Sequence, residues 1–187
     1  MWAPAGSEDV GYLIDLDFAA SVEPGSVEET TTDDALHTLA LPFLAIDHLP
    51  PDALVMADSS PPQSTHHIYR HDLESFFWSV WWILLNAVRY RDGPSNIDKV
   101  LLGWQSYNLG QNRAEKEGFL LLRRQWSSFI SQKLWPQHEH RAKMEAFLKD
   151  ISQMFNEGHR ALEKGSDYPT AGGHVTFENF MQVFMLE

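Results

Sequence analysis

Gly11-Tyr12-Leu13-Ile14 is a short apolar run that stops at Asp15 and Asp17. Such a run reads as a buried strand that delivers two carboxylates to its end, a common place for ligand groups. An Asp-x-Asp at a strand end is also a plain polar cap that opens a turn, and so short a pattern is weak evidence of chemistry by itself. A second concentration of reactive side chains is His66, His67 and His71, just ahead of Asp72. With no Cys and no ligand pair at a recognised zinc spacing, these histidines read as polar residues at a helix entry rather than as metal ligands. His138 and His140, which flank Glu139, read the same way. No Gly-x-Ser-x-Gly elbow and no Walker-type Gly-Lys-Ser occurs in the chain. The absence of Cys excludes disulfides, zinc–thiolate clusters and cysteine nucleophiles.

The elements that would position these groups are mostly helical. Tyr69 to Leu85 opens with charge and continues as a segment apolar on every side: from Leu73 to Val88, 12 of 16 residues are Leu, Ile, Val, Ala, Phe or Trp. A helix lying on a core shows one apolar stripe and one polar face, so this composition predicts a central helix over 72–90 that is surrounded by others. A membrane span takes about 20 predominantly apolar residues, and this run is shorter and carries Glu74, Ser75, Ser79 and Asn86. Asp72 reads as its N-cap. Further along, apolar residues spaced by threes and fours from Phe119 to Leu134 predict a helix over about 113–133, ended by Pro136. The clearest amphipathic pattern predicts a helix over 139–164, with Met144, Phe147, Leu148, Ile151, Met154, Phe155 and Leu162 on one face and Gly165 as terminator. Thr176 is a good N-cap for a last helix over 176–187.

Between these lie a polar, acidic stretch at 21–38 and a loop at 50–65 marked by Pro50-Pro51 and Pro61-Pro62. The chain thus reads as an N-terminal tail at 1–10 followed by a single, mostly α domain over 11–187. Its 26 acidic and 14 basic residues give a net charge of −12, which opposes a phosphate backbone or an anionic membrane surface. Neither nucleic acid nor a membrane is an expected partner. Met1-Trp2-Ala3-Pro4 has no basic start or apolar continuation of a secretory signal, so the expected location is the cytoplasm or nucleus.

Three blocks in order, within roughly residues 11–135, resemble the carboxyl-terminal lobe of the fungal-type protein kinase-like family. Leu13-Ile14-Asp15-Leu16-Asp17-Phe18-Ala19 is similar to the strand and metal-binding D-F-G segment, here as Asp-x-Asp. The resemblance makes Asp15 the magnesium-binding position, with Asp17 as a second candidate, because phosphoryl transfer depends on a carboxylate that holds Mg²⁺ against the nucleotide phosphates. Thr38 to Asp47 is similar to the end of an activation segment, with Ala45-Ile46-Asp47 in place of the A-P-E triplet. Asp47 would then form a buried ion pair with an Arg further along, although as a helix N-cap it would serve equally. Leu39-Ala40 stands where the family has Gly-Thr, so the hydroxyl set against the catalytic Asp is missing. The most specific block, His66 to Phe77, is similar to the start of the lobe's large central helix, whose Asp, here Asp72, tethers the catalytic loop. Within the activation-segment-like loop, Ser26, Thr30, Thr31 and Thr32 are candidate phosphoacceptors, although no Arg cluster lies nearby in sequence to pair with a phosphate.

The resemblance implies a fold that in its complete form transfers the γ-phosphate of ATP to a protein hydroxyl with Mg²⁺. A working kinase also needs a glycine-rich loop, a strand Lys and a catalytic loop, all preceding the D-F-G segment, where this chain has only Met1 to Ile14. The expectation is therefore a truncated carboxyl-terminal lobe with no catalytic residues, no cofactor and no phosphotransferase activity of its own. The alternatives are a component of an active Ser/Thr kinase completed by a missing amino-terminal part, and a non-catalytic binding scaffold. A protein partner, or self-association through the lobe face left uncovered, is the expected interaction.

Overall fold

The computed structural model describes residues 41–49, 68–93, 96–136 and 140–185. The tail at 1–10, the strand expected at 11–14, Asp15, Asp17, the loop at 21–38 with Ser26, Thr30, Thr31 and Thr32, and the Pro-rich loop at 50–65 lie outside the described residues. Two short 3-10 turns, Leu41–Phe43 and Ile46–His48, are followed by six helices: α1 (Tyr69–Asp92), α2 (Asn96–Trp104), α3 (Leu109–Leu121), α4 (Arg123–Leu134), α5 (Arg141–Glu163) and α6 (Phe177–Phe184). The protein is mostly α, and the described residues contain no strand. No helix among them is long and apolar enough to cross a membrane.

The long helix α1 is central, packing against the Leu41–Phe43 turn, α2, α4 and α5. Phe77, Trp78, Trp81 and Leu85 on it are fully buried. Around them the core is aromatic: Trp78 meets the Trp104 ring edge-on at 5.0 Å, Trp81 meets Phe119 at 4.8 Å, and Phe77 lies 4.7 Å from Phe155 of α5. Such aromatic pairs, the first two edge-to-face and the third tilted, add roughly 0.5–1.5 kcal/mol each beyond the area they bury. Gly93, at φ 82°, ends α1 by donating its N–H to the Arg89 carbonyl in a backbone conformation that favours glycine.

Three expectations are corrected. The central helix is not covered on all sides: Phe76, Ile83 and Tyr90 are 49%, 65% and 95% exposed. Its apolar content exceeds what the core uses, and the surplus faces water. Asp72 is not the N-cap, because α1 begins three residues earlier and Asp72 sits exposed in its first turn. The helix entry is instead closed by His71, whose Nδ1 accepts the Ile68 backbone N–H at 3.4 Å. The single helix expected over 113–133 is two helices, α3 and α4, joined at Leu122, whose backbone (φ −92°, ψ 11°) leaves the helical region. That break lets Phe119 and Trp126 stack at 5.3 Å across the joint, a contact whose spacing mimics one continuous helix in the sequence.

The later helices follow from their local chemistry. Asn108 caps α3 by accepting the Gln111 N–H at 3.1 Å, and Thr176 caps α6 by accepting the Asn179 N–H at 3.2 Å. Helix α5 buries Leu148, Ile151, Met154 and Phe155 and keeps charge on its outer face. Gly158 on α5 allows the 171–175 turn to come close: a Cβ there would lie 2.7 Å from the Val175 side chain and 3.3 Å from that of Ala171.

Candidate functional site

The chemistry of the described residues is concentrated where the segment 41–49 lies against the helices. Arg70, on the first turn of α1, is almost fully buried and pairs through Nη2 with Asp47. Its Nη1 lies 3.8 Å from Glu74 Oε2 one turn on, and its Nε donates to the Tyr168 carbonyl at 3.2 Å. The Tyr168 ring also lies under the guanidinium, 4.9 Å from its carbon. Glu74, fully buried, accepts the Ile46 N–H at 2.8 Å and the Trp78 Nε1–H at 3.1 Å, and it lies 3.4 Å from His159 Nε2 of α5. One carboxylate therefore ties the 41–49 segment, α1 and α5 together.

From the other side, Lys116 of α3 donates to the Leu44 carbonyl at 2.5 Å and the Leu41 carbonyl at 3.4 Å, with its ammonium 5.1 Å from the Trp78 ring. Asn112 bridges the Leu41 and Trp104 carbonyls at 3.4 and 2.6 Å, and Arg113 donates to the Leu49 carbonyl at 2.9 Å. Segment 41–49 forms no regular element beyond two single turns. Its buried backbone groups, which would be costly if left unpaired, are met by side chains from α1 and α3.

The ionisation of these groups follows from their neighbours. Burial acts to raise the Asp47 carboxyl, but the His71 hydrogen bond and the Arg70 charge hold it well below the usual carboxylate range. Burial likewise opposes ionisation of Glu74, yet the charge of His159 beside it, with the Ile46 N–H, brings it down to about 2. His159 is raised in turn: burial disfavours its cation, and Glu74 outweighs that. For Lys116, burial outweighs the charge of Glu74 and pushes it down to about 7. Burial also lowers His71 against the pull of Asp47, so it favours the neutral ring. Since Nδ1 accepts the Ile68 N–H, the proton belongs on Nε2, which faces the Tyr168 hydroxyl at 3.2 Å and Asp47 at 3.8 Å.

A cavity of about 500 Å³ opens beside this network, bordered by Asp47, Arg113, Glu117, His159, Arg160 and Glu163. It mixes both charges, and Arg113 already pairs with Glu117 at 2.8 Å. Among the described residues no group of three His, Asp or Glu forms a metal site. His48 and His71 are 4.2 Å apart as an edge-to-face ring pair.

Of the residues singled out in the sequence, the structure places Asp47 in the network, while Asp72 faces solvent on α1. Sequence reasoning left Asp47's partner unnamed and passed over Glu74, Lys116 and His159. Glu74 carried a usable signal, an acid amid apolar residues with an Arg four positions before it. Lys116 carried none, since its neighbours Glu115 and Glu117 make it look like part of a solvated face.

Residues 3–84 match the family model described as fungal protein kinase. That stretch ends inside α1 and includes Asp47, Arg70 and Glu74, so the core of the network lies within the matched residues. No curated protein and no solved structure matches the chain.

Proposed function

We propose that this chain is a non-catalytic, kinase-like binding module that transfers no phosphate on its own. The observation that carries the reading is the clamp on segment 41–49, whose buried charges hold one another and the segment's backbone, with Asp47 and His159 also bordering the cavity. Arg70 holds Asp47, Glu74 holds the Ile46 N–H and His159, and Lys116 holds two carbonyls. A segment fixed in this way is a preset surface, and each of these groups is engaged by a neighbour within the protein. The 187 residues also contain no glycine-rich phosphate loop of the kind that covers ATP in kinases. Mg²⁺ and ATP belong, in this reading, to the complete family, with Asp15 and Asp17 the positions of this chain that correspond to its metal site.

The test is the melting temperature of the whole chain with and without millimolar ATP and Mg²⁺. A ligand at 100 times its dissociation constant stabilises a fold by about 2.7 kcal/mol, a readily measured shift. The expected result is no magnesium-dependent shift. An upward shift that requires Mg²⁺ and disappears in Asp15→Asn would favour a component of an active kinase instead.

A further inference from the structure

The exposed side of α1 is organised. Tyr69, Phe76, Ile83 and Tyr90 recur every seven residues, about 10.5 Å apart along one side of the helix, and each is at least 49% exposed, with Tyr69 resting edge-on against Phe177 of α6 and Phe76 against its Phe180 and Phe184. Between them lie Asp72, Ser79, Val80, Asn86 and Ala87. Ser79 donates its hydroxyl to the Ser75 carbonyl and Asn86 its amide to the Trp82 carbonyl, both at 2.9 Å, so these donors are already satisfied within the helix. A heptad-spaced apolar stripe whose small polar residues need no water is suited to pairing with another helix.

The charges at its two ends differ. Asp72 lies in the first turn, with Glu178 of α6 close enough to act on the Tyr69 phenol. At the far end, Arg89, Arg91 and Lys133 gather around the two carboxylates Asp92 and Asp98. One end is acidic and the other carries an excess of positive charge. A stripe of this polarity is complementary to itself when reversed, which is the requirement of a two-fold symmetric interface. The opposed helix dipoles favour the same arrangement.

We propose that the α1 stripe is a self-association surface that pairs antiparallel with a second copy of this chain. The proposal rests on the binding-module reading and names its partner. With the two-fold axis at Trp81, Phe76 lies opposite Asn86 of the second copy and Ile83 opposite Ser79, large against small. Tyr90 then lies opposite Asp72, where its phenol can donate to the carboxylate between Arg89 and Arg91.

The experiment is sedimentation velocity on the whole chain from about 1 to 200 μM, with melting temperatures as a folding control, in wild type, Ile83→Asp, Asp72→Arg and the double variant Asp72→Arg/Arg91→Glu. The expected result is a concentration-dependent shift from monomer to dimer. Ile83→Asp abolishes it with an unchanged melting temperature, Asp72→Arg weakens it at least tenfold, and the double variant recovers most of the loss. A wild type that stays monomeric at the highest concentration overturns the proposal, as it would if the chain's own residues covered the stripe. Association that survives Ile83→Asp, or a double variant no better than Asp72→Arg, also overturns it. These outcomes leave the magnesium–ATP result unaffected, so failure of this interface is distinguishable from failure of the binding-module reading.

Discussion

Arg70 is the residue on which the clamp depends most. Its removal leaves the Asp47 carboxylate near the interior without its arginine and leaves Glu74 with His159 alone. Breaking a buried pair by deleting one partner typically costs about 3–5 kcal/mol, so Arg70→Ala should lower stability by that order in chemical denaturation. Asp72→Ala, two residues on but exposed, should cost under about 1 kcal/mol, the scale of a first-turn charge on the helix dipole. Equal effects would mean that the ion pair is not buried as described. Lys116 makes a distinct pH prediction. Its folded value of about 7 lies below its usual 10.5, so between these values the unfolded chain binds more protons and stability rises with pH. The wild type should gain up to about 1.4 kcal/mol per pH unit relative to Lys116→Met between pH 7 and 10. Parallel curves for the two proteins would show that Lys116 is solvated. The two carboxylates act in the opposite range. Asp47 and Glu74 are depressed in the fold, so the stability they contribute is complete above their unfolded values and is lost as pH falls from about 4.5 towards 2.

At the scale of elements, α1 has a face buried in the core and an exposed side on which Tyr69 and Phe76 still meet α6. Trp81→Ala removes a fully buried ring from the aromatic core and should cost about 3–5 kcal/mol. Ile83→Asp, on the exposed stripe, should change stability by no more than about 0.5 kcal/mol. Gly158→Val should loosen the turn at 171–175, because the added atoms need space that Val175 and Ala171 occupy. Its signature is faster amide exchange in 171–175 while α1 stays protected; unchanged exchange there would show that the turn adapts. The sequence made the existence of α1, α5 and α6 legible, because long runs with helical spacing and good stop signals constrain one another. It misjudged how deeply α1 is buried, since hydrophobicity alone does not distinguish a residue packed in a core from one held on a binding stripe. The α3–α4 break was hidden because Phe119 and Trp126 stack across it seven residues apart, the spacing that a continuous helix would also show.

For the whole molecule, the match over residues 3–84 and the clamp around segment 41–49 coincide in chain position. The matched stretch supplies Asp47, Arg70 and Glu74, and the helices beyond it supply Asn112, Arg113, Lys116 and His159 to the same clamp. Asp47 was legible as a candidate through its place in a motif. Arg70 and Glu74 left a local trace in their four-residue spacing, whereas His159 left none, because it joins Glu74 across 85 residues of chain. The central claim is that this arrangement makes a binding module and does not make a nucleotide site. Titration calorimetry of Mg²⁺–ATP into the whole chain, with chelator in a parallel run, tests that claim most directly. The account predicts heats of dilution in both runs; a saturable isotherm that appears with Mg²⁺, vanishes with chelator and is lost in Asp15→Asn would contradict it.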